Sequence, residues 1–345
     1  MKVQYQQKEF PVLQNRVYDS SQDAINCPTG DIKICQDEKT GLIFNSAFNP
    51  SLITYDHNYD NEQSFSPFFK QHLSQVLTLI EIYLGKERLI EVGCGKGYFL
   101  EMLQNQGADV VGFDSTYVGS NPRIIKKNFE PGIIISPAKG LILRHVLEHI
   151  WDPYEFLFKL KEANGGGGLI FIEVPCFDWI LKKRAWYDIF YEHVNYFRLS
   201  DFDNLFTHIV KKGRFFGNQY LYIIADLSTL RKPTFNRLKR LSFPPDFTNS
   251  HKIAKEPFYV WGGASKGVIF SILCERLGLK VTNVIDSNPQ KQGKFLPVTG
   301  CEIISPIKAL QELPAGAYIY VMNSNYLEEI IKESQNKFKY ITVEK

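Results

Sequence analysis

Apolar residues change period along this chain in a way that separates helices from strands. Leu73, Val76, Leu77, Ile80 and Leu84 recur at helical spacing between Phe68 and Gly85, which predicts an amphipathic helix stopped by that glycine. Directly afterwards Arg88-Leu89-Ile90-Glu91-Val92 is a short apolar run ending in glycines, the pattern of a buried strand. Tyr98 to Gln106 reads as a helix closed by Gly107, and Asp109 to Asp114 as the next strand. Gly140 to Leu143 and Gly168 to Ile172 read as further buried strands around a helical stretch, Pro153 to Ala163, and Gln219 to Ile224 as another strand. Such alternation predicts a mostly parallel sheet with helices on both faces.

The pattern breaks and then restarts. Residues 227–256 are rich in Pro, Lys, Arg and Ser and lack long apolar runs, as a linker or connecting helix would. Beyond them come a strand Phe258–Trp261, a glycine turn, a helix to Leu277, and strands Val281–Asp286 and Ala317–Val321. Residues 1–74 are polar and aromatic, with turn formers at 27–30 and 49–51 and little periodicity before the helix. The expected architecture is therefore α/β: an irregular N-terminal cap (1–74), a sheet unit (75–226), a linker (227–256) and a second, smaller sheet unit (257–345).

Bulk properties narrow the class. The 345 residues exceed one ordinary core, and 44% hydrophobic with 22% charged residues describes a globular chain. Forty basic against thirty-seven acidic residues leave +3, too small a surplus for a nucleic-acid footprint without a clustered basic face. Without a leader-like apolar region or a run long enough to span a bilayer, the expectation is a cytoplasmic protein with no membrane partner. Six cysteines without a C-x-x-C pair predict reduced thiols. The sequence carries no signal for an oligomeric state.

Candidate chemistry gathers at strand ends. Gly93, Gly95 and Gly97 follow a strand directly and can supply a tight turn, close approach to a ligand and helix packing. A dinucleotide fingerprint would need its third glycine where Tyr98 stands, so a pyrophosphate loop does not fit. Asp114 ends the next strand, placed for ribose hydroxyls, and Glu91 offers a carboxylate to the cationic end of a cofactor. Arg144-His145-Val146-Leu147-Glu148-His149 and Tyr191 to Phe197 concentrate titratable groups. His193 beside Glu192 is a candidate proton acceptor, and His145, directly after its strand, ranks above His149.

LIEVGCGKGYFLEMLQNQGADVVGFD resembles the cofactor motif of class I S-adenosylmethionine-dependent methyltransferases. The resemblance implies a Rossmann-like methyltransferase domain that contacts S-adenosylmethionine through Gly93, Gly95, Gly97 and Asp114, with Glu91, Cys94 and Arg144 beside them. Residues 133–137 show no match for the acid expected near adenine. RHVLEHIWDPYEFL, IEVPCFDW, YEHVNYF, VWGGASKGVIF and VIDSNPQKQGKFLP, in that order, resemble the sugar C-methyltransferase family, from about residue 30 to 330. Its members methylate a carbon next to a keto group on nucleotide-linked deoxysugars.

That likeness implies an acceptor between the two sheet units with Tyr191, Glu192, His193 and His145 around it, and His193 as the base. It also implies cap tyrosines Tyr55 and Tyr59, and a degenerate Rossmann-like C-terminal domain with Gly262, Ser265 and Lys266 near the acceptor's phosphates. The chain departs from the family in two places. Only Cys35 stands where a paired-cysteine zinc segment is usual, so no metal is expected, and Phe190 replaces a residue expected to carry a hydroxyl. The alternatives are an oxygen or nitrogen acceptor, a catalytically inactive cofactor- or partner-binding protein, or a two-domain oxidoreductase with a nicotinamide cofactor. The last rests on Gly262 to Gly267, which fits G-x-A-x-x-G with Asp286 ending the following strand.

Overall fold

The structure, a computed structural model, describes residues 1–54, 66–133, 136–235, 239–248, 253 and 257–344. Its N-terminal segment is not irregular: it forms β1 (Val3–Pro11), α1 (Ser21–Ile25), β2 (Thr29–Gln36) and β3 (Ile43–Asn45). Ile32 and Ile34, two apart and fully buried, turn one face of β2 inward, but so short an alternation does not stand out in a polar stretch.

The middle of the chain comprises α2 (Pro67–Tyr83), β4 (Leu89–Val92), α3 (Tyr98–Asn105), β5 (Val110–Phe113), β6 (Ile124–Ile125) and β7 (Gly140–Arg144). It continues with α4 (Pro153–Ala163), β8 (Leu169–Pro175), α5 (Phe177–Lys183), β9 (Asn195–Tyr196), α6 (Leu199–Leu205), β10 (Ile209–Phe215) and β11 (Tyr220–Asp226). Local chemistry sets the helix ends. Ser66 caps α2 through the Phe69 N–H with Pro67 in its first turn, and Asp152 caps α4 through the Glu155 N–H with Pro153 following.

Seven of these strands form one sheet in the order β10-β11-β8-β7-β4-β5-β6, all running the same way except β11, which is antiparallel to both of its neighbours. Leu141, Ile142, Ile170, Phe171 and Ile172 are fully buried, as central strands covered on both faces must be. The edge strand of this sheet is Ile124–Ile125, upstream of the apolar run at 133–135, of which Ile134 and Ile135 lie outside the described residues. β9 stands apart from the central sheet and completes a four-stranded sheet, β1-β2-β3-β9, so the N-terminal segment is knitted to the loop before α6.

The C-terminal part comprises β12 (Phe258–Trp261), α7 (Ser265–Arg276), β13 (Val281–Ile285), β14 (Ile303–Ile304), α8 (Pro306–Glu312), β15 (Tyr318–Val321), α9 (Leu327–Glu333) and β16 (Lys339–Thr342). Its five strands are parallel, in the order β14-β13-β12-β15-β16. The described part of the expected linker is packed down: Leu241 and Phe247 are buried, and the Phe243 ring lies 5.4 Å from Tyr5 and 5.9 Å from Phe177. Among the described residues no helix is long and apolar enough to cross a membrane.

Candidate active site

The carboxyl ends of β4, β5 and β7 lie side by side, with Val92 paired to Phe113 on one flank and Leu143 on the other. The turn leaving β4 passes through Gly93, Gly95 and Gly97 at φ +73°, +56° and +86°, a left-handed backbone that side chains disfavour. Space is equally restrictive. A Cβ on Gly93 would stand 2.4 Å from Val146 Cγ2, and one on Gly97 2.5 Å from Ile124 Cδ1. Asp114 faces this turn: its Oδ2 accepts the Gly95 N–H at 2.8 Å, and its Oδ1 accepts the Thr116 N–H and hydroxyl at 2.8 and 2.7 Å. The Cys94 side chain is buried, and burial pushes its thiol pKa up.

Glu91, next to last in β4, is 3% exposed. Burial pushes its carboxyl up to about 7, with Arg144 pulling the other way and Asp114 adding to the rise. The Arg144 guanidinium lies 4.5 Å over the Phe99 ring and donates from Nη2 to Glu173 Oε1 at 3.1 Å. Glu91 Oε2 and Arg144 Nε are both buried without a hydrogen-bond partner among the described residues. A buried acid and a buried base, each with an unused polar atom, suit the amino and carboxylate groups of an amino-acid moiety.

Beneath Arg144 lies a cluster that local sequence reasoning missed. Glu173, in β8 opposite Arg144, is fully buried, and its carboxylate lies 3.2 Å from His72 Nε2 and 3.2 Å from His145 Nε2. His145 Nδ1 is 3.3 Å from Glu148 Oε1. Burial works against a charge on His145, but the Glu148 and Glu173 carboxylates prevail and push its pKa up to about 9. His145 is thereby a cation with a carboxylate at each ring nitrogen. Held so, an imidazolium has no lone pair with which to accept a proton. The one signal for the cluster is the glutamate inside the apolar strand LIFIEVP.

His193 is different. Its ring lies 4.0 Å from Phe190, 4.9 Å from His149 and 6.5 Å from Tyr196, and burial, followed by the neighbouring His149 and His145, lowers its pKa well below the ordinary histidine value. The imidazole is therefore neutral. Glu192 Oε2 accepts the Gln14 N–H at 3.2 Å, and the Glu192 carbonyl accepts from His149 Nδ1 at 3.0 Å. Tyr191 is placed otherwise than expected: it is fully buried, its hydroxyl accepts the Asn49 N–H at 2.8 Å, and Gly30 leaves room for its ring. Its hydroxyl thereby ties the loop to Asn49. Glu148, His149 and His193 bring one donor atom each to within 4.8 Å of one another, close enough to accommodate a cation in principle.

At the second glycine turn the groups expected near phosphates have partners inside the protein. Gly262 has φ +118°, and the Gly263 N–H donates to Asp286 Oδ2 at 2.6 Å. Asn15 Oδ1 accepts both the Ser265 N–H and its hydroxyl at 3.1 Å. Lys266 Nζ donates to Gln219 Oε1 at 2.7 Å and lies 3.3 Å from Asp188 Oδ2. Tyr55 and Tyr59 lie outside the described residues.

Residues 64–209 match a family model described as a methyltransferase domain, and residues 246–341 one described as a C-methyltransferase C-terminal domain. Among curated proteins the chain is similar to the C-methyltransferase NovU of Streptomyces niveus, with 30% identity over 151 residues, 39% of this chain and 36% of that protein. The match thus spans about a third of that relative's length. Among solved structures, the N-methyltransferase NodS from Bradyrhizobium japonicum WM9 shares 13% identity over 47% of this chain and 97% of its own, with a TM-score of 0.34. The plantazolicin methyltransferase BpumL in complex with SAH shares 18% identity over 49% of this chain and 87% of its own, with a TM-score of 0.37.

Proposed function

We propose, from the matches of residues 64–209 to a methyltransferase domain and of residues 246–341 to a C-methyltransferase C-terminal domain, that this chain transfers the methyl group of S-adenosylmethionine to carbon. The proposed acceptor carbon lies next to a carbonyl, in a nucleotide-linked keto-deoxysugar. The cofactor, when bound, supplies an electrophilic methyl group on a sulfonium.

The chain's own residues do the rest. The Gly93 to Gly97 backbone gives close approach, Asp114 accepts ribose hydroxyls, and Glu91 and Arg144 orient the amino-acid end. His193, buried between Phe190 and His149, takes the proton from the acceptor carbon and leaves that carbon the electron pair with which it would accept the methyl group. Holding the reactants in line is the larger share of such catalysis, and a base is needed because the acceptor is carbon.

The observation that supports the reading is the buried His193, with its ring 4.0 Å from Phe190 and 4.9 Å from His149, while both ring nitrogens of His145 are taken by the Glu148 and Glu173 carboxylates. The test is calorimetric titration with S-adenosylhomocysteine, followed by turnover on a panel of deuterated nucleotide keto-sugars. Loss of deuterium from the carbon next to the carbonyl is expected, and full retention of label during methylation would move the acceptor atom to oxygen or nitrogen. His193→Ala should keep cofactor affinity and lower turnover by roughly 10²- to 10⁴-fold. Unchanged turnover would remove His193 from this role.

A further inference from the structure

The segment from Trp186 to Val194 that carries Glu192 and His193 has little regular structure of its own, only a single helical turn at Trp186–Asp188. Tertiary contacts must therefore hold it, and those on one side come from α7. Lys266 Nζ lies 3.3 Å from Asp188 Oδ2, donates to Gln219 Oε1 at 2.7 Å and sits 5.0 Å over the Trp179 ring. The two charged side chains are only 17% and 11% exposed. One turn farther along α7 the Phe270 ring stacks on Trp186 at 5.6 Å and 8°. Gln219 is itself held from the C-terminal part, donating to Asn323 Oδ1 at 2.9 Å and to Glu344 Oε1 at 3.2 Å.

A dinucleotide site would leave the first N–H groups of the helix to a pyrophosphate. Here Asn15 Oδ1 takes the Ser265 N–H, the first of α7. We propose that Lys266 is a positioning residue, and that the C-terminal part serves through it to hold the Glu192–His193 segment in place and does not bind a dinucleotide. The inference rests on the reading of His193 given above. Without the ammonium, the largely buried Asp188 carboxylate loses its counter-charge, which favours local opening of the segment.

The experiment uses the full chain and its Lys266→Met, Lys266→Arg and Asp188→Asn variants. Hydrogen exchange by mass spectrometry reads peptides over 186–194, with 89–97 as the internal control, and calorimetry reads S-adenosylhomocysteine and NAD(H). In Lys266→Met, exchange over 186–194 should accelerate about tenfold while the control is unchanged. Cofactor-product affinity should stay within about twofold of the parent. Lys266→Arg should restore most of the protection, and NAD(H) should give no binding heat. Unchanged exchange over 186–194, equal acceleration in both regions, or NAD(H) binding would overturn the proposal. Should Lys266→Met fail to fold, Asp188→Asn is read against the same criteria. A parent protein that does not bind S-adenosylhomocysteine would instead sink the methyltransferase reading, so the two failures are distinct.

Discussion

Glu91 shows how one side chain can report ligand binding through its proton. Its carboxyl is held up to about 7 chiefly by burial, so it is mostly protonated below that pH. An ammonium group placed beside it favours the charged form and lowers the pKa. Binding of S-adenosylhomocysteine should therefore release about one proton near pH 6 and almost none near pH 8.5. Calorimetry in buffers of different ionisation enthalpy measures this, and a binding heat independent of buffer near pH 6 would place the amino group elsewhere. The residues of the glycine turn were legible in the sequence because strand, glycines and helix are contiguous there. The state of Glu91 was not, because it depends on burial and on Arg144, which ends a different strand.

At the level of elements, β7 and β8 place Arg144 opposite Glu173, and α2 brings His72 against the same carboxylate. Glu173→Gln would leave Arg144 without its buried counter-charge and His145 with Glu148 alone, and should destabilise the fold by about 3 kcal/mol, measured by chemical denaturation near neutral pH. The same contacts set a pH dependence. The His145 pKa is raised in the folded state to about 9, so its contribution is fully present below the unfolded value near 6.5 and is lost as pH rises through 9. The drop in unfolding free energy across that window should be smaller in Glu173→Gln, and an undiminished drop would assign it to other groups. The strands themselves were readable from apolar runs, whereas the pairing of 144 with 173 follows from sheet order.

At the scale of the whole molecule, the N-terminal segment and the start of α2 are tied to the C-terminal part. Asn15 reaches Ser265, the Ser21 hydroxyl donates to the Gly300 carbonyl, and Tyr18 bridges Phe295. Glu329 accepts from the Ser66 hydroxyl at 2.8 Å and the Phe68 N–H at 2.5 Å. With so many ties, thermal unfolding should proceed as one transition, with calorimetric and van't Hoff enthalpies in agreement. Two resolved transitions would mean that these ties are weak beside the cohesion of each sheet.

The sequence by itself determined the local chemistry: which strands end in glycines, where helices are capped, and that acids and histidines collect at strand ends, because these depend on neighbours along the chain. Only the tertiary structure decided that His145 lies between two carboxylates while His193 lies against Phe190 and His149, and that Lys266 faces Asp188 and Ser265 faces Asn15. Charge state and accessibility are set by groups that are distant in sequence and adjacent in space, and no local period or motif encodes those distances.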